Sequence, residues 1–103
     1  MNNETNLPSP TEAVVEPEGD LVGPRLPDLR SRLQQMVRSG VVHLTLDLAS
    51  TAMVDSAGIG LLISAHNSLK KAGGELKVIH ASKDVLDLFR TMRIHQHFSV
   101  SGN

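Results

Sequence analysis

The chain has no cysteine, tryptophan or tyrosine, and only two phenylalanines among its 103 residues. Without cysteine there is no disulfide and no thiolate metal site, which fits a reducing cytoplasm. The two aromatics, Phe89 and Phe98, offer no platform for base stacking and few anchors for an interface built on Trp or Tyr. The core must come from Leu, Val, Ile, Met and Ala. An excess of either charge is also missing: ten Lys and Arg against eleven Asp and Glu give a formal net charge of −1, which leaves no electrostatic footprint for nucleic acid or an anionic membrane. Long apolar runs are absent too. The longest, residues 59–63, falls far below the ~18 residues of a membrane span, so no membrane insertion is expected. The polar opening Met1-Asn2-Asn3-Glu4 is not a signal-peptide start. These limits describe one soluble, cytoplasmic domain whose partners are proteins.

Periodicity divides the chain into alternating strands and helices. Residues 1–10 are polar and aperiodic and read as a disordered arm, leaving residues 11–101 for the domain. Residues 11–16 have modest strand character, stopped by Pro17, and Glu18-Gly19-Asp20 reads as a turn. A helix is expected from Pro27 or Asp28, with Leu29, Leu33, Met36 and Val37 on one face, Arg30, Arg32 and Arg38 on the other, and Gly40 closing it. The β-branched, mostly apolar residues 41–48 predict a strand buried on both faces. A helix follows from Ser56 to Lys71, with Ile59, Leu62, Ile63, His66 and Leu69 at helical spacing and Gly73 as a left-handed cap. Residues 76–79 read as a strand, Ser82 as the cap of a helix ending near Met92, and residues 96–100 as a short last strand. The fold class is α/β: a mixed, largely parallel sheet of four to five strands with about three helices and right-handed crossovers.

The chemistry converges on Asp55-Ser56-Ala57-Gly58-Ile59-Gly60, where the loop after a strand turns into a helix. The first N–H groups of a helix lack internal partners and the macrodipole is positive there, so a phosphate on Ser56 would be stabilised. Asp and Ser are also ordinary N-caps, and on the residues alone capping is the stronger reading. Thr51 is a weaker second acceptor, and Ala57 accepts nothing. Gly58 and Gly60 each cost about 0.5–1 kcal/mol in a helix relative to alanine, so something comes close there. Either a partner protein or the chain's own sheet satisfies this, and one glycine can face inward while the other faces out.

The order of elements between Val41 and Phe98, with this motif, resembles the STAS domain of bacterial anti-sigma factor antagonists. That family carries Asp-Ser, a small residue and then Gly-aliphatic-Gly, and here those places fall on Asp55, Ser56, Ala57, Gly58, Ile59 and Gly60. Gly19-Asp20-Leu21 resembles its step into the first helix, Gly73-Gly74-Glu75-Leu76-Lys77-Val78 its helix end and next strand, and Val85-Leu86-Asp87-Leu88-Phe89 its following helix. The resemblance implies that Ser56 is the phosphorylated residue, that Asp55 to Gly60 meet the partner, and that the partner is an anti-sigma factor with serine kinase activity. A serine phosphatase would reverse the modification. The ATP belongs to the kinase, so no cofactor is expected in this chain, nor any enzymatic activity. A constitutive STAS adaptor in a transporter or lipid-trafficking complex, its serine never modified, is the alternative.

The chain departs from the family in three places. Val22, followed by Gly23-Pro24, stands where the sporulation and stress-response antagonists commonly carry an acidic residue, residues before Thr11 lack the alternation of the family's first strand, and the chain stops at Asn103 where many relatives continue into an amphipathic helix. Apolar surface left by that helix would favour a weak homodimer. The histidines suggest no metal: His95 and His97 would share a face of a strand, but no third ligand has suitable spacing. His66 reads as a core-edge residue with a hydrogen-bond partner. A Ser56/His66/Asp47 hydrolase lacks the Gly-x-Ser-x-Gly elbow. The arginines of the first helix, with Lys70, Lys71, Lys83, Arg90 and Arg93, read as a solvated face rather than a phosphate-binding patch.

Overall fold

Every strand in the structure is parallel to its neighbours. The structure, a computed structural model, describes residues 10–102. The arm expected at residues 1–10 therefore lies outside the described residues except for Pro10, which is in a turn. The strands β1 (Glu12–Val15), β2 (His43–Asp47), β3 (Glu75–Ala81) and β4 (Ser99–Gly102) form one sheet in the order β1-β2-β3-β4. Three helices cross between them: α1 (Leu26–Arg38), α2 (Ser56–Lys71) and α3 (Lys83–Thr91). The α/β architecture is as expected, without an antiparallel strand among the described residues.

A parallel sheet whose strands follow in sequence order, with right-handed crossovers, carries all its helices on one face. That is why β2 is not buried on both faces, as its apolar composition suggested. Leu44 and Leu46 are buried, whereas His43 is exposed and Thr45 and Asp47 are half-buried. The covered face continues across the register, Leu44 beside Leu76 and Leu46 beside Val78 and Val15. It meets Leu29 and Leu33 of α1, Ile59, Leu62 and Leu69 of α2, and Val85 and Phe89 of α3 in one core. The open face is mostly polar, with Glu12, His43, Glu75 and Lys77 exposed. Three large hydrophobic residues are exposed among the described residues: Val14 in β1, Met53 in the loop before α2 and Met92 just after α3.

The element ends follow capping chemistry. Helix α1 starts at Leu26, slightly earlier than its prolines suggest, because a 3₁₀ turn over Gly23–Arg25 feeds directly into it. Neither Pro24 nor Pro27 disturbs this, since donors in a first turn have no intrahelical partner to lose. Ser82 Oγ accepts from Val85 N–H at 3.2 Å and starts α3 as expected. After α2, Gly73 has φ +90°, a left-handed conformation that glycine adopts without strain. The last strand is shorter than expected: Ile94–Gln96 form a 3₁₀ turn, so His95 and His97 do not share a strand face. Among the described residues no cluster of metal-ligating side chains occurs.

Candidate functional site

The helix α2 begins in a frame built by two loops that are distant in sequence. After β1 the chain bends at residues 18–19, and after β2 it turns at residues 49–50. Asp47 Oδ1 accepts from Ala49 N–H at 2.9 Å, setting the second turn. Asp20 then clasps the two loops together: its Oδ1 accepts from Ala52 N–H at 3.0 Å and Met53 N–H at 3.1 Å. Backbone bonds continue the clasp, from Leu21 N–H to the Met53 carbonyl at 3.0 Å and from Asp55 N–H to the Leu21 carbonyl at 3.1 Å. Leu21 and Val54 are thereby paired as an isolated parallel bridge. Both side chains are buried, so the frame is anchored in the core.

Asp55 completes the frame as the N-cap of α2. Its Oδ1 accepts from Gly58 N–H at 2.8 Å, and its Oδ2 accepts from Gly23 N–H at 3.0 Å. The Gly58 amide, followed by the Gly23 amide, holds its carboxyl below the usual carboxylate range. An ionised carboxylate at this end also complements the helix dipole. One side chain thus starts α2 and ties it to the turn before α1, combining the capping and loop-shaping roles open to Asp55. The tie reaches across 32 residues, a contact for which local sequence carries no signal.

Ser56 is the first residue of α2 and is exposed, and its hydroxyl makes no hydrogen bond among the described residues. Ala57 and Gly60 are exposed beside it, whereas Gly58 and Ile59 are buried. The two glycines divide their work. A Cβ on Gly58 would overlap the Leu21 carbonyl oxygen, so this glycine lets α2 lie against the first loop. A Cβ on Gly60 would meet nothing within 4 Å. Met53, at 58% exposure, adds an apolar side chain to the same loop end; sequence reading passed over it. Thr51 does not share the exposure of Ser56. It is buried, and its hydroxyl donates to the Gly19 carbonyl at 2.9 Å, so it is not an accessible acceptor.

The nominal hydrolase residues do not assemble. Asp47 pairs with His80, Oδ1 to Nδ1 at 2.9 Å, and that bond, with the Ala49 amide, lowers the Asp47 pKa. His80 sits at φ 58° beside a register shift between Val78 and Ala81. His66 packs its ring on Phe98 with centroids 5.5 Å apart. Contrary to expectation its buried Nδ1 has no hydrogen-bond partner among the described residues. Burial, with Lys70 and His97 adding to it and Glu75 opposing, lowers its pKa, so the ring is neutral at pH 7.

Comparisons with known proteins find the same fold. A candidate anti-sigma factor antagonist of Thermotoga maritima superposes with a TM-score of 0.84 at 13% identity, covering 90% of this chain and 80% of that one. The anti-sigma factor antagonist SpoIIAA in its unphosphorylated form gives 0.79 at 16% identity, over 91% of this chain and 83% of its own. The phosphorylated form of SpoIIAA, a Bacillus cell fate determinant, gives 0.71 at 15% identity, over 91% and 86%. Identities this low establish a shared fold. Family membership rests on the sequence itself, because the family model described as MlaB, STAS domain, matches residues 8–100. With the parallel sheet and the Asp-Ser step at the start of α2 both in place, the chain belongs to the STAS domain family.

Proposed function

We propose that this STAS domain is a partner-switching regulator, an anti-sigma factor antagonist that binds an anti-sigma factor with serine kinase activity while Ser56 is unmodified. Phosphorylation of Ser56 ends the binding and a serine phosphatase restores it. One observation carries the reading: Ser56 presents a free hydroxyl at the first position of α2, on a surface left open by Ala57 and Gly60. The clasp by Asp20 and Asp55 supports it, since a held loop spends little conformational entropy when a partner docks. Met53 adds a flexible apolar contact of the kind that adapts to a partner's surface. The chain acts in this reading as the kinase's substrate and ligand, and needs no cofactor of its own. The fold likeness to SpoIIAA, solved both unphosphorylated and phosphorylated, is consistent with such a switch.

The test is mass spectrometry of the protein from its native cells, paired with identification of what co-purifies. Phosphate on Ser56 together with a soluble serine kinase supports the switch. An unmodified Ser56 under all growth conditions, with membrane ATPase subunits co-purifying, replaces it by the constitutive adaptor.

A further inference from the structure

Helices α1 and α2 enclose an open groove of about 210 Å³ beyond the reach of the Ser56 surface. Its floor is apolar, from Leu33 and Val37 of α1, Leu61, Ala65 and Leu69 of α2, and Leu44 of the sheet below. Arg30 and Arg38 stand on its rim, both exposed. Neither takes part in an ion pair among the described residues, where the pairs are His80 with Asp47 and Lys83 with Asp87. The two helices together carry five cations, Arg30, Arg32, Arg38, Lys70 and Lys71, against the single anion Asp28. That is a surplus of four positive charges in a chain whose formal net charge is −1. At the groove itself the charge is one-sided, because Arg30 and Arg38 line it and no carboxylate does, whereas Arg32 lines a separate cleft with Glu18, Asp20 and Asp28. A merely solvated face does not need an apolar floor between its arginines.

We propose that this groove docks an acidic amphipathic helix of a protein partner, with aliphatic side chains on the floor and carboxylates on Arg30 and Arg38. A third helix laid along two packed helices fits ridges into grooves in the ordinary way. Charge decides between the occupants. A second copy in a two-fold, groove-to-groove dimer would set the same arginines against each other. A lipid chain needs a site that encloses most of its surface, and this groove is open along its length. Carboxylates on a helix satisfy both the unpaired guanidinium groups and the apolar floor. Groove residues on α2 begin at Leu61, more than a turn past Ser56, so this contact is independent of the modification proposed there.

The experiment is an NMR amide titration of the full chain with a synthetic blocked peptide of about 14 residues, helical in design, with leucines on one face and glutamates flanking them. Amide shifts confined to residues 30–38 and 61–69 are expected, with no response to a scrambled peptide of the same composition. The double variant Arg30→Glu/Arg38→Glu should weaken binding at least roughly ten-fold. Should that variant fold poorly, the exposed substitution Ser68→Glu on the opposite wall should weaken binding in the same direction. Ser56→Asp should bind the peptide as well as the unmodified chain does, whatever becomes of the kinase interaction. Shifts mapping to residues 53–60, an affinity unchanged by charge reversal, or binding to phosphatidylglycerol vesicles without binding to the peptide would each overturn the proposal.

Discussion

Gly58 lies so close under the carbonyl oxygen of Leu21 that no side chain fits between the start of α2 and the loop after β1. Gly60, two residues further on, has open space where its Cβ would be. Substituting alanine should therefore have opposite effects at the two positions. Gly58→Ala must push backbone against backbone and should cost about 1–3 kcal/mol. Gly60→Ala relieves the entropic cost of an exposed helical glycine and should gain about 0.5–1 kcal/mol. Chemical denaturation of the two variants measures both. If Gly60 lies in the proposed interface, its alanine variant should also bind the kinase more weakly while being the more stable protein.

Asp20 holds the second loop by two backbone amides. Asp20→Ala should cost about 1.5 kcal/mol, at the low end for hydrogen bonds to a charged acceptor because the site is solvated. The loss should also be local. Hydrogen exchange at the Ala52 and Met53 amides should accelerate well beyond the change in global stability, while amides in β2 and β3 track the global change. Uniform acceleration across the chain would show that the clasp is not a separate unit.

Acid should lower the stability of the protein in two separate pH windows. His66 is held neutral by burial, its pKa below the ordinary 6.5, so the unfolded chain binds the extra proton first and stability falls as pH drops through that value. The decline levels off once the folded protein also takes up the proton. Asp47 and Asp55 act in the other window: both have pKa values lowered from 3.8, so their contribution holds above that value and is lost below it. Melting temperatures across pH should show both declines. His66→Leu should remove the upper one and leave the lower intact.

What the sequence made legible was whatever depends on neighbours in the chain. The start of α2 at Ser56, the Ser82 cap and the left-handed Gly73 all follow from local chemistry, and the structure has each of them. Features that depend on distant partners were not legible. The apolar run of β2 suggested two buried faces, but helix placement is a property of strand order, and the order here leaves one face open. Thr51 looked available until the fold brought Gly19 to its hydroxyl. The Asp55 bond to Gly23 likewise exists only once the two loops meet. His66 fell on an apolar face as its spacing required, yet nothing local could show that Phe98 would cover its ring and leave Nδ1 without a partner among the described residues.

The last prediction separates the fold from the switch. A phosphate on Ser56 adds about −1.5 to −2 charges, and a helix N-terminus stabilises an anion by about 0.3–1 kcal/mol. That gain is not fully available here, because Asp55 already spends the Gly58 amide and places its own negative charge beside the serine. The two effects oppose each other, so Ser56→Asp should leave the melting temperature nearly unchanged. Binding is a different matter. An effective switch needs about a 100-fold change in affinity, or about 2.7 kcal/mol, and an uncompensated charge pressed against a close-fitting partner costs at least that. Ser56→Asp should therefore lose the kinase, while Ser56→Ala stays bound and takes up no phosphate from it. Calorimetry on the same preparations reads both quantities. If Ser56→Asp and the phosphorylated protein bind as tightly as the unmodified chain, the serine does not gate the contact, and this STAS domain is an adaptor whose partner stays on.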